Sequence, residues 1–228
     1  MRERGMIFNA DMVRAVLNGS KTQTRRIIQS AAKNMQARGH EVISHRAPGD
    51  KWYGDYVYSM RDRSGVWQDF TNEQFLAKCP FGQPGDRLWV RETWSTDFAN
   101  YYPNDRVWYA ADDNRRLDIE VVDGVRGIYS PESDVYVPFR WRPSIHMPRW
   151  ASRITLEITG VRVERLQDIS QADAKAEGCW YGRGGGEPDF AVSPADHFPT
   201  LWESIYGEES WQANPWVWVI EFKRVEGE

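Results

Sequence analysis

Two runs of alternating side chains set the strongest limit on how this chain can fold. From Ile154 to Leu166, apolar residues recur at every second position through Ile154, Leu156 and Ile158, and again at Val161 and Val163, with Gly160 between them. From Trp216 to Val225, the set Trp216, Trp218, Ile220 and Phe222 alternates with Val217, Val219 and Glu221. A period of two belongs to strands that present distinct faces. The first run predicts one long bent strand or two strands joined at Gly160, and the second predicts a closing strand. Short helical stretches punctuate the chain at about Asn9 to Asn18, Thr71 to Lys78, Asp168 to Gly178 and Phe198 to Tyr206. Short helices between strands that change face predict an α+β fold built on a small mixed β-barrel.

Between these elements the pattern loosens twice. Residues 29–81 and 95–138 read as insertions into a single domain spanning 1–228. The first insertion carries a helical stretch from Ala31 to Arg38, a hairpin arm from Lys51 to Met60 and a partner for it from Val66 to Phe70. The second carries a strand from Val107 to Ala110 and a charged turn from Asp112 to Arg116. Pro84-Gly85-Asp86 is a turn signal, and Arg87 to Trp94 after it reads as a strand with Leu88 and Val90 on one face. Residues 181–195 are glycine-rich and read as a flexible loop; they lack a phosphate-binding spacing.

The densest chemistry lies in Gly19-Ser20-Lys21-Thr22-Gln23-Thr24-Arg25-Arg26, where a helical pattern hands over to an extended one. Gly19 is the residue expected just past the helix C-terminus. On a continuous strand Lys21 and Thr24 fall on opposite faces, so their side chains meet only if Lys21 lies in the turn. A lysine shielded from water beside an arginine has its charged form disfavoured and can act as a base. A neighbouring threonine hydroxyl is then a candidate nucleophile or water-positioner. The same residues also suit solvated loop charges on an ordinary strand.

Other candidates are more dispersed. Glu92 falls on the inward face of its strand, either as a paired core carboxylate or as a site residue near Lys21 or Arg26. Phe139 to Trp150 interleaves Arg140, Arg142, His146 and Arg149 with Trp141 and Trp150, between prolines, and is the best candidate for a ligand-facing wall. A rigid packing loop is the alternative. Glu177 ends a short helix, where the dipole disfavours its charge, which suits a general acid.

Composition limits the partners. Twenty-nine basic against 33 acidic side chains give a net charge of −4, so any nucleic-acid site must be a local patch. Twelve tryptophans supply ring faces for core packing or for stacking on a base. The two cysteines and four histidines form no metal-ligand spacing, so neither a metal nor a cofactor is expected. No apolar run is long enough to span a bilayer, and the cysteine usage predicts a cytoplasmic protein.

Gly19-x-Lys21-x-x-Thr24-x-Arg26, the Pro84-Gly85-Asp86-x-Leu88 turn, the short helix ending at Glu177 and the closing Val219-Ile220-Glu221-Phe222 strand resemble an ASCH domain of the PUA-like superfamily. The resemblance covers the core elements, roughly half the chain, and skips both insertions. It implies a barrel of five or six strands with rim helices and a pocket beside the first helix–strand turn. The commonest signature of that family has glutamate where this chain has Thr24. The small bacterial N4-acetylcytidine amidohydrolases of the family have threonine there, and their lysine, threonine and glutamate correspond to Lys21, Thr24 and Glu177. The resemblance thus implies hydrolysis of an acyl amide on a modified pyrimidine nucleoside, with Arg26 holding the carbonyl oxygen or the base. The chain is also similar to longer ASCH-like proteins common in prophages. A second expectation is a non-catalytic module binding RNA or modified DNA through the same pocket plus the Arg140 to Arg153 wall, in which His146, Arg149 and Trp150 are the candidate substrate-binding residues.

Overall fold

The computed structural model describes residues 1–29, 42–43, 56–62, 64–97, 107–112, 120–122, 124–130, 134–179, 182–184, 187–189 and 193–225. In chain order its first elements are β1 (Glu3–Ile7), α1 (Ala10–Leu17), β2 (Gln23–Ile27), β3 (Val42–Ile43), β4 (Tyr56–Arg61), β5 (Trp67–Thr71), α2 (Asn72–Leu76) and β6 (Arg87–Arg91). There follow β7 (Trp94–Ser95), β8 (Trp108–Tyr109), β9 (Glu120–Val122), β10 (Val125–Ser130), β11 (Val135–Pro138) and β12 (Thr155–Arg165). The last are α3 (Gln171–Ala176), β13 (Gly182–Gly184), β14 (Glu187–Asp189), α4 (Pro194–Tyr206) and β15 (Trp216–Arg224). This is a mixed α+β structure, mostly strand with few helices. Its contacts divide it into one unit made of Met1–Gly19, Arg87–Glu157 and Arg224–Glu228, and a second made of Ser20–Asp86 and Ile158–Lys223.

In the first unit, β1 runs parallel to β6 in the register Glu3↔Arg87 to Ile7↔Arg91, and β6 runs antiparallel to the start of β12. Leu88 and Val90 alternate inward as expected and are buried with Leu156 and Ile154. The strand ends at Arg91 rather than Trp94, and the chain re-pairs as β7 with β8, Trp94 opposite Tyr109. Asn9 caps α1 by accepting the Met12 N–H at 2.8 Å, and Val13 and Val16 face the core. β9, β10 and β11 form a separate antiparallel sheet, from which Ile128 and Val137 pack onto Trp108 and Phe139.

In the second unit, β2 pairs antiparallel with β15, Gln23 opposite Glu221 and Ile27 opposite Val217. β12 is a single strand of 11 residues that carries Gly160 in its middle. A Cβ at Gly160 would stand 2.7 Å from a carboxylate oxygen of Glu221, so the glycine lets that side chain lie against the strand. Thr71 and Gln74 cap α2 reciprocally, and Phe75 stacks between Tyr58 and Trp218 with centroids 4.5 and 5.3 Å away. α4 begins at Pro194, four residues before the expected Phe198, because Ser193 caps it and a proline at the first helical position is compatible with a helix. Leu166, Phe198, Trp202, Val217 and Val219 form its core.

Among the described residues no sheet closes into a barrel: β1 is an edge strand in the first unit and β2 in the second. The glycine-rich stretch, expected as a loop, contains a small hairpin in which Gly182 pairs with Asp189. Backbone pairing of that kind needs no side-chain alternation to betray it. The expected helix at Ala31 to Arg38, the start of the Lys51 to Met60 arm and most of the Asp112 to Arg116 turn lie outside the described residues.

Gly5 shows how tightly β1 is laid against its neighbour. A Cβ there would lie 2.8 Å from ring carbon Cζ2 of Trp89 and 2.8 Å from Cδ of Arg91. Gly5→Ala is expected to destabilise the protein by about 1–3 kcal/mol through overpacking, read as a lower urea midpoint with an unchanged slope.

Candidate functional site

The second unit brings Lys21 and Glu177 together. Thr22 donates its N–H to the Ala176 carbonyl at 2.8 Å and accepts from the Phe222 N–H at 2.8 Å. The segment is therefore already extended at Lys21, which forms a lone antiparallel bridge with Glu177. α3 stops at that point: Ser170 and Asp173 cap its start, Glu177 caps its end and Gly178 turns away at φ 82°. Lys21 Nζ donates to the Glu177 carboxylate at 2.6 Å and to the Glu177 carbonyl at 2.8 Å. Lys21 is 2% exposed and Glu177 6%.

The extended backbone decides the rest by alternation. Lys21, Gln23 and Arg25 fall on one side of the strand and all reach α3. Gln23 donates to the Asp173 carbonyl at 2.8 Å and to its carboxylate at 3.1 Å. Arg25 donates to Glu177 at 3.2 Å and to Glu164 at 3.1 Å, with Asp173 3.6 Å away. Asp173 and Glu177, four residues apart, share one face of α3 and so meet the same strand face. Arg162 extends the cluster to Asp173 at 2.6 Å and pairs with Glu164 and Glu221.

Thr24 points to the other side. It is 1% exposed, and its hydroxyl has no hydrogen-bond partner among the described residues, so it is not bonded to Lys21 or Glu177. The turn geometry needed for a direct Lys21–Thr24 contact is replaced by the bridge to Glu177. Arg26 shares the Thr24 side of β2 and stands opposite Trp218 in register.

Electrostatics follow from this burial. Removal from water pushes the Lys21 ammonium below the usual lysine range, helped by the nearby Arg26 and Arg25 charges and opposed by the charge and hydrogen bond of Glu177. Partial burial pushes the Asp173 carboxyl up, but hydrogen bonds from Ser170 and Gln23 and the charges of Arg25 and Arg162 outweigh it and leave it below its usual range. Cys179, next to the cluster, has its thiol pushed up to about 11 by burial and by Glu177, and sits 3.3 Å from His197 Nδ1. A thiol held protonated in this way is not a ready nucleophile.

The remaining candidates lie in the first unit. Glu92 is a core carboxylate held by both arms of Arg153 at 3.0 Å, and Arg153 also binds Asp112 at 2.8 Å. Burial pushes the Glu92 carboxyl up against the opposing pull of Arg153. Arg149 forks onto Glu3 at 2.9 and 3.0 Å and reaches Thr155 at 3.1 Å, which makes it a clasp for β1. Trp150 is 68% exposed and meets Trp94 edge-on, and His146 is exposed in a 3-10 turn spanning Ser144–His146. Sequence reasoning missed Gln23, Arg25, Glu164 and Asp173 as members of the cluster. The usable signal was the i, i+2, i+4 spacing of Lys21, Gln23 and Arg25 set against the i, i+4 spacing of Asp173 and Glu177.

No family model, no curated protein and no solved structure matches this chain. Among the described residues no three histidine, cysteine, aspartate or glutamate side chains are grouped to hold a metal ion. No described helix is long and apolar enough to cross a membrane.

Two measurements test the cluster. Removing Glu177 strips a partner from both Lys21 and Arg25, whereas removing Lys21 leaves Glu177 with Arg25. Glu177→Leu is therefore expected to lower unfolding free energy by about 3–5 kcal/mol and Lys21→Met by distinctly less, both from denaturant titration. Asp173 titrates lower folded than unfolded, so its stabilisation is present above about pH 4 and is lost as pH falls through the depressed folded value. The acid limb of a stability profile is expected to flatten in Asp173→Asn.

Proposed function

We propose that this chain is a PUA-like, ASCH-type protein that hydrolyses an acyl amide on a modified pyrimidine nucleoside of the N4-acetylcytidine kind. The observation that carries the reading is a buried lysine with a disfavoured charge, bonded to a buried glutamate, on the same extended segment as a buried hydroxyl with no hydrogen-bond partner among the described residues. Buried hydroxyls are nearly always satisfied, so the exception calls for a role. The barrel implied by the resemblance is part of this proposal.

In the proposed reaction Lys21 passes its proton to Glu177 and, now neutral, takes the proton of a water, which either attacks itself or relays the proton of the Thr24 hydroxyl from the opposite side of the strand. The nucleophile attacks the acetyl carbon, Arg26 holds the carbonyl oxygen, and the carbon–N4 bond breaks as Glu177 passes a proton to the departing amine. The products are cytidine and acetate; where Thr24 attacks, water releases the acetate from the threonine ester.

A second reading is favoured by one specific feature: the ammonium of Lys21 is occupied by Glu177 and the Thr24 hydroxyl is not within its reach. That arrangement suits a non-catalytic pocket that reads a modified base in RNA or DNA. The deciding experiment is incubation with N4-acetylcytidine and chromatography for cytidine, using wild type, Thr24→Val and Lys21→Met. Thr24→Val removes a hydroxyl that bonds to nothing described and is expected to unfold no earlier than wild type. Turnover by wild type that is lost in folded Lys21→Met supports the hydrolase, and loss in Thr24→Val as well assigns attack to the hydroxyl. No turnover by wild type overturns this substrate and leaves the reader.

A further inference from the structure

The first unit holds a groove that the proposed reaction does not use. It is a half-open depression of about 630 Å³ lined by Arg140, Trp141, Arg142, Pro143 and His146. The volume suits a drug-sized or nucleotide-sized molecule. Its wall is fixed from several directions. Arg142 exchanges backbone hydrogen bonds with Trp94 at 2.8 and 3.2 Å, and its guanidinium lies over the Trp94 ring at 5.3 Å. Asp97 accepts the Arg140 N–H at 3.0 Å and one arm of Arg142 at 2.8 Å. Trp141 is anchored on the cluster of Trp108, Ile128, Val137 and Phe139, meeting Phe139 at 88° with centroids 4.8 Å apart. The His146 N–H closes its turn on the Pro143 carbonyl at 3.0 Å.

The groove thus brings together two arginines, a histidine, an indole and a proline, with Asp97 holding one arm of Arg142 and the backbone of Arg140. Such a set recognises a ligand with an anionic end and a flat ring. Arginine pairs with phosphate through two parallel hydrogen bonds, and an anchored indole stacks on a base without losing much freedom. Charge and hydrogen bonds fix the phosphate; the ring contact tolerates different bases.

We propose that this groove is a binding site for a nucleoside phosphate, its phosphate on Arg140 and Arg142 beside His146 and its base against Trp141 and Pro143. The phosphate belongs either to a free nucleotide or to a nucleotide within a single strand. The site stands whether or not the second unit is a hydrolase.

Isothermal titration calorimetry of the full chain with cytidine 5′-monophosphate, with cytidine, and with a short single-stranded oligocytidylate tests it. The expected result is binding of the monophosphate or the oligomer, with cytidine weaker by about tenfold or more, the loss of one charge-assisted contact. Tighter oligomer than monophosphate assigns the source to a nucleic-acid strand, and the reverse assigns it to a free nucleotide. Arg140 and His146 are exposed, so Arg140→Glu and His146→Ala are expected to keep the thermal unfolding midpoint and to weaken binding, Arg140→Glu by about tenfold or more. Cytidine binding as tightly as its monophosphate, binding unaffected by both surface substitutions, or no binding by either phosphorylated probe would overturn the site.

Discussion

An ammonium and a guanidinium taken out of water need a carboxylate within hydrogen-bond reach, and in the second unit Glu177 serves both. Much of the local architecture answers to that requirement. α3 must end where its C-terminal cap can face the strand, which the reciprocal cap at Ser170 and the left-handed Gly178 arrange from either side. β2 must present Lys21 and Arg25 on one side, which the extended backbone at Thr22 enforces. Glu164 and Asp173 then take the remaining arm of Arg25, so the cluster carries several anions for its cations and no single pair bears the whole desolvation.

The first unit solves a similar problem differently. Glu92 is as deeply buried, but one arginine satisfies both of its oxygens in a fork, and Asp112 completes the arginine. That geometry leaves nothing over for a ligand. In the second unit the carboxylate is divided between two different cations, and on the other side of the same strand the hydroxyl of Thr24 has no hydrogen-bond partner among the described residues. Reactive chemistry needs that kind of incompleteness, because a group already satisfied has to be released before it can meet a substrate.

What the sequence disclosed was local. The caps of α1, α2 and α3, the inward alternation of Leu88 and Val90, and the strand character of residues 154–166 and 216–225 are legible because each depends on neighbours a few positions away. The partners of the charged residues were not. Glu92 finds Arg153 and Arg149 finds Glu3 across long stretches of chain, and nothing in either neighbourhood names the other. Barrel closure was equally hidden: alternation tells which face of a strand is buried, not which strand lies at its edge. Lys21 turned on a single backbone choice, since one residue more of extended chain put it with Gln23 and Arg25 instead of with Thr24.

The path of the chain between its two units bears on how the protein is made. The polypeptide passes from one to the other after Gly19, after Asp86, after Glu157 and after Lys223, so neither unit is a continuous stretch. Val225, just past β15 and itself part of the first unit, donates its N–H to Thr155 of that unit at 2.9 Å. A ribosome that has released the chain through Phe222 has delivered every member of the acidic and basic cluster, but not the segment that completes the unit containing the amino terminus.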